Sequence, residues 1–187
     1  FLFKGPGPPD RYPLSLPAHL PLLRSRSLPP PRGLLMTLSL ADRAVEEAHD
    51  LHRFLQRWLT GEWPRDGFAR FADAMAPGLQ VISPLGTVSA REALLTEFES
   101  IHGELAAKRD AFEIWVERAE CRHVFGDVAM VSYEEWHKLE GETSARLSTV
   151  LYREAPDAPG GVQWLHVHET WLPGKAPTAG ERFPEKA

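Results

Sequence analysis

From Ser39 to Gly61, apolar side chains recur every three or four positions: Val45, Ala48, Leu51, Leu55, Trp58 and Leu59 form one stripe. Ser39 followed by Asp42 is a capping signature and Gly61 a stop, so the spacing predicts a helix between them. A shorter helix is expected in "FARFADAMA", with Phe68, Phe71 and Met75 on one face and Pro77-Gly78 ending it. "LQVIS" reads as a strand closed by Pro84, and "GTVS" as a short return strand. "SAREALLTEFESIHGEL" returns to the helical period. There Ser89 and Glu92 form a second capping box, and Leu94, Leu95, Phe98, Ile101 and Leu105 a buried stripe.

After Asp110 the period drops from 3.6 to 2. "FEIWVERAECRHVF", "DVAMVSYEEWHKL", "SARLSTVLYRE" and "VQWLHVHETWL" are four long strands joined at Gly126-Asp127, Gly141-Glu142 and a loop over 156–161. Strands joined in sequence by turns make an antiparallel meander. Helices at the front and a meander at the back predict an α+β domain, its strongly twisted sheet wrapped around the helices. Large residues occupy both strand faces: Trp115 opposes Ile114, and Trp136 opposes Tyr133 and His137. Two covered faces are therefore expected, one by the helices and one by a second subunit, which makes the protein a homodimer.

Composition changes this picture mainly at the ends. Nine of the 17 prolines fall in the first 35 residues, which carry net +4, so the other 152 of the 187 residues carry −9. Proline removes an amide donor and fixes φ, so "GPGPPDRYP" and "SLPPPRG" are read as a disordered or polyproline-like extension over 1–36. Met36 offers a natural start, and over-called sequence before it is the expectation preferred to a targeting leader. The domain is expected over 37–174 and a flexible tail over 175–187. An acidic body argues against nucleic acid, and no apolar run is long enough for a membrane span. The single Cys121 excludes an internal disulfide, and the lack of Asn excludes N-glycosylation. A cytoplasmic protein is the default expectation.

The element order, "FGDVAMVSYEEW", the threonine-bearing "LSTVLYR" and the closing "GGVQWLHVHETW" together resemble the nuclear transport factor 2-like, or SnoaL-like, superfamily. The resemblance covers about residues 40–174 and is nearest to the branch called domain of unknown function 4440. The association domain of calcium/calmodulin-dependent kinase II closes with a similar Trp-x-x-Val-His. This resemblance implies a cystatin-like α+β barrel: a cone-shaped, strongly curved antiparallel sheet around N-terminal helices, a pocket in its mouth, and usually a homodimer. It does not imply one chemistry, because the superfamily includes isomerases, cyclases, dehydratases, transport factors and assembly hubs. Arginines line the pocket of the kinase domain. The matching positions here, Trp136, Thr149 and Trp171, are not basic, which weakens the case for a small carboxylate bound that way.

Candidate chemistry centres on the last strand. With a period of two, His166 and His168 share a face with Trp164 and Thr170. A metal would need a further histidine and a glutamate three or four residues on; Glu169 is adjacent and faces the other way, so no metal is expected. His168 matches the recurrent histidine of the family and is the first candidate for acid–base work, with Tyr133 or a carboxylate as partner. Tyr133, Glu135 and His137 share one face of their strand, Glu134 and Trp136 the other; the alternation leaves open which face lines the pocket. If the second face looks inward, Glu134 and Glu169 would stand near Trp136, Thr149 and Trp171 as a carboxylate pair, with Arg118, Arg146 and Arg153 available to neutralise them instead. His52 borders the apolar stripe and reads as a packed histidine. No G-x-S-x-G, phosphate loop or H-E-x-x-H occurs.

These residues support three readings. Tyr133, Glu134 and His168 are the catalytic candidates, and Trp136, Thr149, His166, Glu169 and Trp171 the binding candidates. The first reading is a domain of unassigned activity that binds an apolar or aromatic small molecule. The second is a cofactor-free isomerase, cyclase or dehydratase using His168 with a carboxylate or Tyr133. The third is a structural dimerisation module.

Overall fold

The structure, a computed structural model, describes residues 38–177. The extension expected over 1–36 and most of the tail expected over 175–187 lie outside the described residues. Helix α1 spans Leu40–Leu59, and Ser39 caps it as its spacing predicts, accepting from the Asp42 amide. A 3₁₀ turn, Arg65–Phe68, leads into the short α2, Ala69–Ala74. Strand β1 is Met75–Ile82 and β2 is Val88–Ala90, followed by α3, Arg91–Ser100. The long strands are β3 (Phe112–Phe125), β4 (Val128–Leu139), β5 (Glu142–Glu154) and β6 (Val162–Trp171).

All six strands form one curved sheet in the order β2-β1-β6-β5-β4-β3. The pairs β3–β4, β4–β5 and β5–β6 are antiparallel, which is the expected meander. The last strand also pairs on its other side with β1, and that pair is parallel. The chain thus closes its front strand against its last, and the helix-bearing segment is carried to the concave side. Helix α1 packs across β3, β4 and β6. Its stripe of Ala44, Ala48, Leu51, Phe54, Leu55 and Trp58 is buried against Val131, Tyr133, Val150, Tyr152 and Trp164. Each fully buried large side chain in such a core contributes about 1.5–3 kcal/mol.

Polar ties fix the angle of α1. Gln56 accepts from the Ile114 amide (2.8 Å) and donates to the Phe112 carbonyl (3.0 Å), stitching the helix to β3. Trp58 Nε1 donates to the Phe98 carbonyl at 2.7 Å, so α3 is hung from the same helix. At the other end Glu47, 1% exposed, receives both terminal nitrogens of Arg70 (3.1 and 3.0 Å) and the indole of Trp164 (3.3 Å). Gly160 lies directly over that carboxyl. A Cβ there would meet Glu47 Oε2 at 2.5 Å, and its φ of +71° suits only a residue without one.

Three local expectations differ from the structure. Pro77-Gly78 do not end a helix; α2 stops at Ala74, and Pro77-Gly78 sit inside β1. There the pairing with β6 shifts between Met75 and Gln80, because proline has no amide to give the ladder. The N-cap of α3 is Ala90 with no side-chain cap bond, so the box expected from Ser89 and Glu92 does not form. Ser89 instead lies in β2, opposite Val81. None of the residues of α3 itself is buried, because its apolar stripe borders a cavity rather than a filled core.

Candidate functional site

The cavity lies between the concave face of the sheet and the helices, with a volume of about 550 Å³. Leu51, Leu55 and Leu59 of α1, Phe71, Met75, Leu79, and Leu94 and Phe98 of α3 form its apolar walls. Ser83, Thr87, Ser89 and Glu97 border it on the β1–β2 and α3 side. The other end is polar. Three neighbouring strands each contribute a charged residue: Glu135 from β4, Arg146 from β5 and Glu169 from β6.

Their order alternates in sign. Glu135, 3% exposed, stands directly across the β4–β5 ladder from Arg146 and accepts a short hydrogen bond from its Nη2. His137 Nε2 lies 2.6 Å from the same Glu135 oxygen, and His52 Nε2 lies 3.1 Å from the other. His52 in turn donates from Nδ1 to the Ala48 carbonyl one helical turn back, at 2.6 Å. On the far side, Arg146 Nε is 3.2 Å from Glu169 Oε1, and the Ser148 hydroxyl donates weakly to that oxygen at 3.4 Å. Among the described residues, Arg146 Nε is buried without a hydrogen bond, and Arg146 Nη1 and Glu169 Oε2 also have no hydrogen-bond partner.

The electrostatics follow from burial and from this order. Burial pushes the Glu135 carboxyl up, but Arg146, His52 and His137 outweigh it and hold it well below the usual carboxylate range. Glu169 is raised to about 7: burial dominates, Arg146 opposes it, and the Glu135 charge adds to it. Burial also lowers His137 and pushes the Tyr133 phenol well above its ordinary value. The Arg146 guanidinium is raised by its two carboxyl neighbours against the effect of burial. The site therefore offers a fixed ion pair beside a carboxyl that changes charge near neutrality.

The structure divides the residues expected from sequence between two faces. Tyr133 and Glu169 line the cavity; His168, His166, Glu134, Trp136 and Thr149 do not. For the two histidines the physical cause is a bulge in β6. Tyr152 pairs with Trp164 while Leu151 pairs with His166, so Leu165 is an extra residue and the alternation inverts across it. Trp164, Val167 and Glu169 consequently face inward, whereas His166, His168 and Thr170 face outward. His168 is exposed, opposite Thr149 and Ile82. Strict alternation groups both histidines with Trp164, and the bulge corrects that grouping. Glu134 is bound on the outer face by Arg118 and by the indole of Trp136, so it forms no pair with Glu169. Trp171 has the parity of Glu169 but lies beyond the cavity, opposite Arg146 at the strand end.

Glu135, His137, Arg146 and His52 complete the site. The first two carried a signal, since Tyr133-x-Glu135-x-His137 shares one strand face. Arg146 and His52 carried none that separates them from a surface neutraliser and a packed histidine.

Comparison with known proteins gives the same fold. A family model described as sucrose-6-phosphate phosphohydrolase C-terminal matches residues 47–173. Sucrose-phosphatase 2 of Nicotiana tabacum is 26% identical over 133 residues, covering 70% of this chain and 31% of that protein. Probable sucrose-phosphatase 3a of Arabidopsis thaliana is 23% identical over 149 residues, covering 76% and 34%. The chain thus spans about a third of the length of the curated relatives it matches. Among solved structures, an NTF2-like protein of unknown function from Pseudomonas aeruginosa superposes with a TM-score of 0.62 at 25% identity, over 70% of this chain and 98% of that one. The CaMKII hub of S. rosetta superposes with a TM-score of 0.55 at 16% identity, over 72% and 98%. The fold is NTF2-like, as the motifs of the last strands imply. Among the described residues, no helix is long and apolar enough to cross a membrane.

Proposed function

From the premise that the chain belongs to the sucrose-6-phosphate phosphohydrolase C-terminal family, we propose that it is a ligand-binding module whose cone holds one small amphipathic molecule. The family, rather than domain of unknown function 4440, is the branch on which this reading is built. One observation carries it: a cavity of about 550 Å³ with mostly apolar walls that is also lined by the row Glu135–Arg146–Glu169. That volume lies within the roughly 300–1,000 Å³ of small-molecule sites, and convergent polar groups at one end of an apolar wall orient a ligand head first. Phe71, Phe98 and Trp164 suit a flat apolar body. Because the relatives are about three times longer, phosphatase chemistry is not assigned to this segment.

Native mass spectrometry of the protein incubated with a metabolite mixture tests the reading and counts subunits in the same spectrum. A retained adduct that weakens or disappears in Val167→Phe, which crowds the cavity beside Glu169, is the expected result. Identical adducts on both proteins would place the ligand elsewhere and end the proposal.

A second reading, a cofactor-free isomerase, cyclase or dehydratase, is favoured by Glu169: a carboxyl at about 7 on the wall of a sheltered cavity is suited to proton transfer. In this reading Glu169 takes the role expected of His168, and Tyr133 is the buried phenol nearest to hand. Pairing of two copies through the outer sheet face belongs to either reading.

A further inference from the structure

The alternating row at the end of the cavity constrains the chemistry of a ligand's head group. Resting on the reading of this cavity as the ligand site, we propose that the head group is neutral and carries a hydrogen-bond acceptor and a donor side by side. That chemistry is shared by a carboxamide and a vicinal diol.

Glu135, Arg146 and Glu169 lie on three adjacent strands in the order acid, base, acid, and all three line the cavity. The Glu135–Arg146 pair is closed: one carboxylate oxygen takes Arg146 Nη2 and His137, and the other faces His52. Arg146 also leans on Glu169 through Nε. Arg146 Nε, buried against Glu169 Oε1, makes no hydrogen bond, and beside it Arg146 Nη1 and Glu169 Oε2 are a donor and an acceptor on neighbouring side chains without a partner among the described residues. The Glu169 side chain is 9% exposed, so its free oxygen meets the cavity and little else. An acceptor that faces the cavity without a protein partner is one that a ligand donor can pair.

Above pH 7, where Glu169 is ionised, charge weighs against the two simpler heads. A carboxylate set on Arg146 would then come up against both Glu135 and Glu169. An ammonium set on Glu169 would sit against the Arg146 guanidinium. A carboxamide meets neither objection. Its carbonyl accepts from Arg146 and its N–H donates to Glu169; a diol does the same with its two hydroxyls. Tyr133 and Ser148 lie beside this row and supply further hydroxyl groups without adding charge.

Isothermal titration at pH 8.5, where Glu169 is ionised, with benzene, benzamide, 1-phenyl-1,2-ethanediol, benzoate and benzylammonium tests this on the full chain. The aromatic body stays constant and only the head changes. The expected result is that benzamide or the diol, or both, bind roughly tenfold or more tightly than either charged probe. Which neutral probe binds better distinguishes the two sources of the chemistry. Benzoate or benzylammonium binding as tightly as the neutral pair overturns the head-group proposal. Equal binding of all five overturns it too, while leaving the cavity itself as a ligand site. Binding of none of them removes the cavity reading and the head-group proposal together. Glu169→Leu, with its melting curve recorded first, should erase the preference for the neutral heads over the charged ones; should it unfold the protein, the wild-type series decides alone.

Discussion

Glu47 and Glu169 are both held at about 7 by burial, yet their surroundings give them different work. Glu169 faces the cavity with one oxygen free, whereas Glu47 is saturated by Arg70 and Trp164 beneath Gly160. Glu47 therefore reports on folding alone. Its folded value lies above the ordinary 4.5, so the protonated form stabilises the fold: the contribution is complete below about 4.5 and is lost as pH rises through about 7. Glu135 acts with the opposite sign, its contribution present above 4.5 and lost as pH falls through its depressed folded value. His137, lowered by burial, also opposes Glu47, since it favours the fold as pH rises toward 6.5. Replacing Glu47 by Gln isolates one of these three. Urea unfolding of wild type and Glu47→Gln at pH 5 and pH 8 should show the wild type losing on the order of 3 kcal/mol relative to the variant across that interval. A stability difference that is the same at both pH values would mean that Glu47 ionises as an ordinary carboxyl.

At the scale of elements, β6 decides the site, and its Leu165 bulge is where sequence pattern and structure part. The helices, the meander and the Ser39 cap were legible because period, turn residues and capping residues are local signals. A bulge leaves no such trace, for "WLHVHETW" alternates as well with the extra residue as without it. Its partner irregularity was visible only as Pro77-Gly78, which reads as a helix stop until the parallel β1–β6 pairing brings it beside Leu165. The parallel pair joins the two ends of the domain, a distance over which periodicity carries no information. On β4, large residues on both faces hid the distinction between Tyr133-Glu135-His137 and Glu134-Trp136, and only the position of α1 separates them. The bulge makes a sharp prediction. Deleting Leu165 joins Trp164 directly to His166, so the strand alternates regularly while Trp164, Val167 and Glu169 keep the inner face and His166 and His168 the outer. The deletion variant should therefore keep a cooperative thermal transition and an unshifted tryptophan emission. A collapsed transition with red-shifted emission would show that the two faces had been exchanged, and would remove the reason given for the inward position of Glu169.

For the molecule as a whole, the sheet has one face occupied by helices and one left with large side chains. On the outer side the stacked Trp115 and Trp136 (6.0 Å between centroids) adjoin Leu147, which is 39% exposed, and the cross-strand pair Met130 and Leu151. His166 continues the Met130–Leu151 row, and His168 the row of Ser132 and Thr149. Both histidines, candidates from sequence for pocket chemistry or, for His168, for a subunit contact, thus belong to the surface proposed to pair two copies. Such a face gains about 25 cal/mol for each Å² of apolar surface it covers, and a stable pair covers about 800 Å² on each partner. Leu147 lies between Glu134 and Thr170 on its neighbouring strands, so Leu147→Glu puts a second carboxylate beside Glu134 at the centre of the face. Size-exclusion chromatography with light scattering should give a dimer mass for wild type and a shift toward monomer for this variant, with dissociation raised roughly tenfold or more. Leu85→Glu, at a more exposed leucine in the β1–β2 turn, should leave the dimer intact. A sharp monomer mass for the wild type would remove the partner from this face. If Leu85→Glu also dissociates the pair, the contact extends to the mouth of the cavity, and ligand entry and subunit pairing would then compete for one rim.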